Sequence, residues 1–197
     1  MKTDAGNNEI SPRLTTIFVG EIERQVDFAL IALEQLQAGV SDQSRSPLGF
    51  RANRTWAAVQ SFLGAAGMVS KLLWPISKEQ RARGEKLRRL LNVPENSILR
   101  PPRRFRDHFE HYDERLHSWS EELGERVFID ANIGSLSNMI SPQPDPKAIM
   151  RHLDPDNWML SMRGDEYNVR EVATALEEIG KSARAFHEAE PGLDRRE

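Results

Sequence analysis

One short segment in the middle of the chain combines residue types that perform acid–base and phosphate chemistry. Arg106, Asp107, His108 and His111 follow directly on a basic run that includes Arg103 and Arg104. Histidine titrates closest to neutral pH, and the planar guanidinium of arginine matches the oxygens of a phosphate. Together these side chains can supply a general acid or base and a cation that stabilises a phosphorane, which is what RNA cleavage without a metal requires.

The spacing of these residues within a helix decides which of them can act together. Asp107 and His111 lie four positions apart and share one helix face, so the carboxylate can orient the imidazole. Arg106 and His111 lie five positions apart and project roughly 140° from each other. One helix therefore does not bring the arginine and the histidine fully together.

Residues 104–116 resemble the Arg-polar-x-x-x-His motif of the HEPN superfamily, a group of small all-α domains that includes many metal-independent ribonucleases. The resemblance carries over Arg106, Asp107 and His111 as catalytic residues. It implies an RNA-binding homodimer in which two copies of the motif helix complete a shared cleft, with no cofactor, and a toxin–antitoxin setting with a regulatory protein partner. From helical position and the basic run we add the following substrate-binding candidates: Arg103, Arg104, His108, Tyr112 and Arg115.

Several alternatives remain open at this point. The competing interpretation is a non-catalytic helical module that binds a protein or a nucleotide, and Arg106 can alternatively pair with Glu110 one turn further along. Residue types and spacing do not choose between His108 and His111. The spacings His108-x-x-His111 and Glu114-x-x-His117 also occur in helical metal sites, but we assign no metal ligand. His152 and His187 are expected at the surface, outside the site.

Composition limits the other classes of function. The 197 residues carry a formal charge of −3 and contain no cysteine, which excludes disulfides, thiolate catalysis and cysteine-based zinc sites. The N-terminal residues lack the apolar run of a signal peptide, and no segment is apolar enough for a membrane span. We expect a cytoplasmic protein without a membrane role. We also expect a disordered lead-in at 1–10, one domain at 11–190 and a flexible tail at 191–197.

The apolar pattern predicts a bundle of four to five helices, and the resemblance implies that this bundle is of the HEPN-like type. Ser11-Pro12 predicts the start of a first helix that ends near Gly39, followed by a loop from Val40 to Asn53. A second helix is expected from Arg54 to Leu73, and a third is expected to open with a capping box at Ser77. The fourth helix is predicted to run from Pro102 to Leu123, with one buried stripe formed by Phe105, Phe109, Tyr112, Leu116, Trp119 and Leu123.

A small β-hairpin insertion is predicted at about 125–168, before the last helix. Residues 127–133 and 158–163 have short apolar runs without helical spacing, which favours strands. Gly164-Asp165 is expected to form the turn of a hairpin, and the proline-rich segment 141–155 reads as the connection between the strands. The last helix is expected from Val169 to Glu188.

Overall fold

The computed structural model describes residues 10–42, 48–100, 111–123, 129–136 and 145–189. Within these ranges the chain is mainly α-helical, with five α-helices and one four-stranded sheet. The helices are α1 Pro12–Ser41, α2 Leu48–Leu73, α3 Arg81–Leu90, α4 Tyr112–Leu123 and α5 Val169–Ala189. The mainly α class predicted from the sequence is therefore confirmed.

Helix α1 starts where its sequence predicts. The Ser11 hydroxyl accepts a hydrogen bond from the Leu14 amide at 3.2 Å, and Pro12 follows in the first turn. One side of α1 packs on α2, where a Cβ at Gly39 would lie 2.7 Å from the Thr55 hydroxyl. Another side packs on α5, with Arg184 reaching Asp27. Helix α1 is thus the central element, held between α2 and α5.

The predicted loop between the first two helices is too long. Val40 and Ser41 still belong to α1, and α2 begins at Leu48 instead of Arg54, while residues 43–47 lie outside the described residues. The polar and glycine-containing residues of this stretch disfavour a helix only weakly. Arg51, in the added first turns of α2, donates to the Asp42 carbonyl at 2.8 Å, a contact with the end of α1 that the local pattern does not reveal.

Helix α3 is joined to the end of α2 by a buried arginine. The Arg88 guanidinium donates to the Leu73 carbonyl at 2.6 Å and to the Glu95 carboxylate at 3.0 Å, and it lies over the Trp74 ring. The predicted capping box is wrong, because the Ser77 side chain makes no capping bond and a short 3-10 turn, Lys78–Gln80, precedes α3. The prediction of α2 ending at Leu73 is confirmed.

The fourth helix is described only in its second half. Helix α4 begins at Tyr112, and residues 101–110 lie outside the described residues, so the predicted start at Pro102 is not addressed. Trp119 is buried against Met150, and its indole nitrogen donates to the Ala148 carbonyl at 3.0 Å. Leu116 is exposed, so the predicted continuous stripe is wrong at this position. Within the described residues, Trp119 and Tyr112 pack α4 against Met150 and Ala148, and Leu116 points away from that contact.

The sheet is larger than the predicted hairpin. Its strands are β1 Asn132–Ile133, β2 Arg151–Asp154, β3 Met159–Met162 and β4 Asp165–Asn168, in that spatial order. β1 runs parallel to β2, and the other two pairs are antiparallel. The strand β2 lies within the segment expected to be a proline-rich connection. Its presence follows from burial of His152 and Leu153 between neighbouring strands.

The predicted hairpin is confirmed with its turn one residue earlier than expected. Met162 pairs with Asp165, so Arg163 and Gly164 form the two-residue turn, with φ of 50° and 86°. Two positive φ values in succession match the twist of antiparallel strands. Trp158, expected within the strand, instead has φ of 54° just before β3.

Helices α1, α2, α3 and α5 share one hydrophobic core with the sheet, whereas Trp119 of α4 packs with Met150 in a separate cluster. The core contains Ile22 from α1, Phe62 from α2 and Leu176 from α5, together with Leu153 and Leu160 from the sheet. The last helix is observed at Val169–Ala189, close to its predicted bounds. None of the helices in the described part of the chain combines the length and the apolar character needed to cross a membrane.

Candidate functional site

His111 lies at the start of α4 with its side chain open to solvent. Its carbonyl accepts the Arg115 amide at 3.0 Å, in the pattern of a helical turn. Its Nδ1 lies 3.5 Å from the Glu114 carboxylate, and both side chains are more than half exposed. This distance is longer than that of a formed hydrogen bond, so a small rotation of Glu114 is enough to make the bond.

A cleft of about 450 Å³ opens beside His111. One wall is the face of α4 that carries His111, Glu114, Arg115 and Ser118, and the other wall is Arg163 from the β3–β4 turn. The four α4 residues fall on one face because their spacing is three, one and three positions. Sites for small ligands commonly have volumes of about 300–1,000 Å³, and this cleft lies within that range.

Arg163 is held in place by three contacts with α4. Its guanidinium donates to the Ser118 hydroxyl at 2.7 Å, to the Glu122 carboxylate at 2.5 Å and to the Arg115 carbonyl at 3.4 Å. Its left-handed backbone, unusual for a residue with a side chain, places it at the tip of the hairpin. The turn therefore brings a mostly buried cation to the wall of the cleft.

The charges around the cleft are mixed. Arg115 and Arg163 supply two permanent positive charges, and His111 adds a third when it is protonated. Glu114 lies in the cleft wall, and Glu122 already pairs with Arg163. An anionic ligand would therefore compete with carboxylates for the arginine side chains, and its affinity would depend on displacing them.

A second group of charged and aromatic side chains fixes the beginning of α4. Arg151 from β2 donates to both oxygens of Asp130, at 2.8 and 2.6 Å. Its guanidinium carbon lies 5.2 Å from the Tyr112 ring centre and 5.4 Å from the Trp56 ring centre. The bond to Asp130 raises the pKa of Arg151, and burial raises the pKa of Tyr112. This group secures the residue next to His111.

The structure brings together only part of the predicted site. His111 and Arg115 share the cleft, whereas the Tyr112 ring is turned to Arg151 and does not line the cleft. The other predicted site residues lie outside the described residues: Arg103, Arg104, Arg106, Asp107 and His108. Whether these five approach the cleft stays a prediction.

Reasoning from the sequence missed Arg163, Ser118, Arg151 and Asp130. The sequence pattern places Arg163 in a strand with no role in the site, and only its position beside Gly164 indicates a place in the turn. Ser118 lies seven positions after His111, on the same helix face, and this spacing was a usable signal. No local pattern links Arg151 with Asp130, because these residues meet through the tertiary fold.

His152 differs from the expectation of a surface residue. It is 7% exposed, and its Nδ1 lies 2.9 Å from the side-chain amide nitrogen of Asn132 on the neighbouring strand. Burial lowers its pKa, and the nearby Asp154 carboxylate acts in the opposite direction. His187 is partly buried and lies 3.6 Å from Glu23 on α1. Both histidines lie outside the cleft.

The metal-like spacings in α4 do not form a ligand cluster in the described ranges. His117 pairs at 3.3 Å with Glu121, one turn further along, instead of with Glu114. No group of three histidine, aspartate or glutamate side chains within the described ranges is arranged to hold a metal ion. His108 falls outside those ranges.

Comparisons of the chain with protein-family models, with curated proteins and with solved structures find no match.

Proposed function

We propose that this chain is a HEPN-like RNA-binding protein that cleaves RNA without a metal ion. The observation that carries the proposal is the cleft, in which His111 and Arg115 meet a third basic residue, Arg163. An exposed histidine beside two guanidinium groups can exchange a proton with a phosphodiester while the cations bind its oxygens.

In the proposed reaction, the 2′-oxygen forms a bond to phosphorus as the bond from phosphorus to the 5′-oxygen breaks. His111 either takes the proton of the 2′-hydroxyl, with water protonating the leaving 5′-oxygen, or protonates the leaving 5′-oxygen, with water taking the proton of the 2′-hydroxyl. Arg106 binds the scissile phosphate and Asp107 orients the imidazole, as the resemblance implies. Glu114 is a second candidate for the orienting role, because it already lies 3.5 Å from Nδ1 and leaves Nε2 free for the substrate.

The resemblance also implies a homodimer in which two copies of the motif helix meet. The described cleft is lined by one chain and is open to solvent, so a second copy could complete it. A toxin-type setting with a restraining protein partner remains part of this proposal.

The second candidate is a non-catalytic module that binds a nucleotide or a protein. This candidate is favoured by the hydrogen bonds that Arg163 makes within the chain, because its guanidinium is already bonded to Ser118 and Glu122. In this view the arginine is a structural link between the sheet and α4, and His111 is an ordinary surface residue. The module binds without turnover.

The decisive experiment is cleavage of labelled single-stranded RNA and transfer RNA in the presence of EDTA. We expect the wild type to leave 2′,3′-cyclic phosphate ends and the His111→Ala variant to lose cleavage. His117→Ala is the matched control, because His117 is an exposed histidine of the same helix that lies outside the cleft. It is expected to cleave at the wild-type rate.

Two outcomes would count against cleavage at this site. Full activity of His111→Ala would remove the histidine from the reaction. No cleavage by the wild type on any substrate, together with measurable RNA or nucleotide binding, would favour the non-catalytic module.

A further inference from the structure

An apolar stripe runs along the side of α1 that faces neither α2 nor α5. It is formed by Leu14, Ile17, Phe28 and Ile31, which are 40–58% exposed. Glu21 and Arg24 lie between the two apolar pairs. The positions recur at alternating steps of three and four residues, which is the spacing of a helix seam that packs against another helix. A soluble chain rarely exposes such a row without a partner.

The stripe has a symmetry that identifies its partner. Leu14 and Ile31 lie equally far from the midpoint between residues 22 and 23, and so do Ile17 and Phe28. Glu21 and Arg24 also lie equally far from that midpoint, with opposite charges. If a second copy of α1 runs antiparallel across this midpoint, each apolar side chain meets an apolar side chain and each Glu21 meets an Arg24.

We propose that this face of α1 binds a second copy of the same chain in an antiparallel, two-fold symmetric dimer. A two-fold interface requires one surface to be complementary to itself, and this stripe meets that requirement in both apolarity and charge. A parallel arrangement would instead place like charges at the same level. The proposal goes beyond the proposed function and uses an element other than α4.

A groove beside the stripe gives the dimer its shape complementarity. It has a volume of about 360 Å³, and Phe28, Ile31 and Ala32 form one wall while Ser61 and Ala65 of α2 form the other. In the antiparallel arrangement Leu14 of the second copy lies at the level of Ile31, where it can enter this groove. The small side chains of α2 leave the room that a leucine needs.

The charged centre can exchange partners on association. In the single chain, Arg24 bonds Glu21 at 2.6 Å within the same helix, and both side chains are solvent-exposed. Pairing across the dimer replaces one exposed ion pair with another, so it adds little free energy and mainly sets the register. The apolar side chains must therefore supply most of the affinity.

The size of the stripe predicts a dimer that dissociates on dilution. Helix α1 is about 45 Å long and about 10 Å wide, so it offers on the order of 450 Å² per chain. Stable specific interfaces bury about 600–1,000 Å² per partner. Even the whole length of α1 lies below that range, so the stripe predicts a weak, concentration-dependent association.

The first test is sedimentation of the purified full chain over a wide concentration range. We expect the wild type to associate through α1 in a concentration-dependent way and Ile17→Glu to lose this association, while any association through the motif helix of the proposed function remains. Ile76→Glu is the matched control, because Ile76 is also an isoleucine with 58% exposure and lies outside α1. It is expected to associate like the wild type. Circular dichroism checks that each variant is folded.

Charge reversal tests the register. Glu21→Arg alone and Arg24→Glu alone place like charges opposite each other and should each weaken the dimer at least tenfold. An equimolar mixture of the two variants should recover association, because every pair in the mixed dimer is then attractive. Failure of the mixture to recover association, while both single variants remain folded monomers, would overturn the antiparallel register.

Cysteine pairing gives an independent measure, because the natural chain has no cysteine. A mixture of Leu14→Cys and Ile31→Cys should form the mixed disulfide faster than either variant forms a homodimer. A mixture of Leu14→Cys and Ile76→Cys serves as the control. Equal rates of disulfide formation in all mixtures would overturn the proposal. A wild type that stays monomeric at every concentration would also overturn it, and the occupant of the face would then be residues 1–9 or a different protein. A wild type that stays monomeric would also count against the homodimer of the proposed function, whereas equal disulfide rates alone would leave that function untouched.

Discussion

At the level of single residues, a small number of side chains determines the chemistry of the cleft. His111 and Arg115 could be chosen from the sequence because helix spacing places them on one face. Arg163 could not, because it comes from the tip of a hairpin 48 residues further along the chain than Arg115. Its left-handed backbone costs free energy, and its bonds to Ser118 and Glu122 offset that cost.

The buried His152 gives a residue-level prediction of pH dependence. Burial lowers its pKa in the folded state, so the unfolded chain binds more protons in the range where an ordinary histidine titrates. The contribution of His152 to stability is therefore present above about pH 6.5 and is lost as the pH falls through that value. We expect His152→Gln to flatten the fall in the free energy of unfolding between about pH 7 and about pH 5, measured by urea titration.

The control for this prediction is His117→Gln, since His117 is an exposed histidine. It should leave the pH dependence of wild type unchanged. An unaltered slope in His152→Gln would mean that other groups control the stability in this range.

At the level of elements, the junction between α2 and α3 depends on close packing. A Cβ at Gly84 would lie 2.6 Å from the Leu73 carbonyl oxygen and 2.6 Å from the Pro75 ring. The same carbonyl accepts the Arg88 guanidinium. The pattern of apolar residues predicts both helices, but not that this glycine is the point where they meet.

We expect Gly84→Ala to lower the free energy of unfolding by about 1–3 kcal/mol, because the added methyl group forces backbone and ring apart. Gly67→Ala is the comparison, since Gly67 lies within α2 with open space around its Cβ. It should raise the free energy of unfolding by about 0.5–1 kcal/mol, as alanine favours a helix over glycine. Urea titration of both variants checks the prediction, and equal shifts in the same direction would contradict it.

At the level of the whole molecule, the sheet and the helices form one structural unit. Leu153 and Leu160 from the sheet belong to the same core as the buried residues of α1, α2 and α5. The strands are only two to four residues long, so burial in this shared core contributes most of the stability of the sheet. The described part of the chain should therefore unfold cooperatively.

We expect Leu160→Ala to lower the free energy of unfolding by about 2–5 kcal/mol, because Leu160 is fully buried. The loss should be equal when it is followed by circular dichroism of the helices and by tryptophan fluorescence. Leu116→Ala, at an exposed site of α4, should change the free energy by no more than about 0.5 kcal/mol. Different transitions for the two signals would indicate that the described part of the chain does not unfold as one unit.

The sequence by itself determined the helices and the hairpin, since cap residues, glycine and apolar spacing act over a few neighbouring positions. The Ser11 cap, the end of α2 at Leu73 and the span of α5 are examples. Only the tertiary structure decided that residues 151–154 form a central strand, that Arg163 reaches α4 and that Arg151 lies between Trp56 and Tyr112. These arrangements depend on burial and on contacts between distant segments, which the spacing of neighbouring residues does not predict.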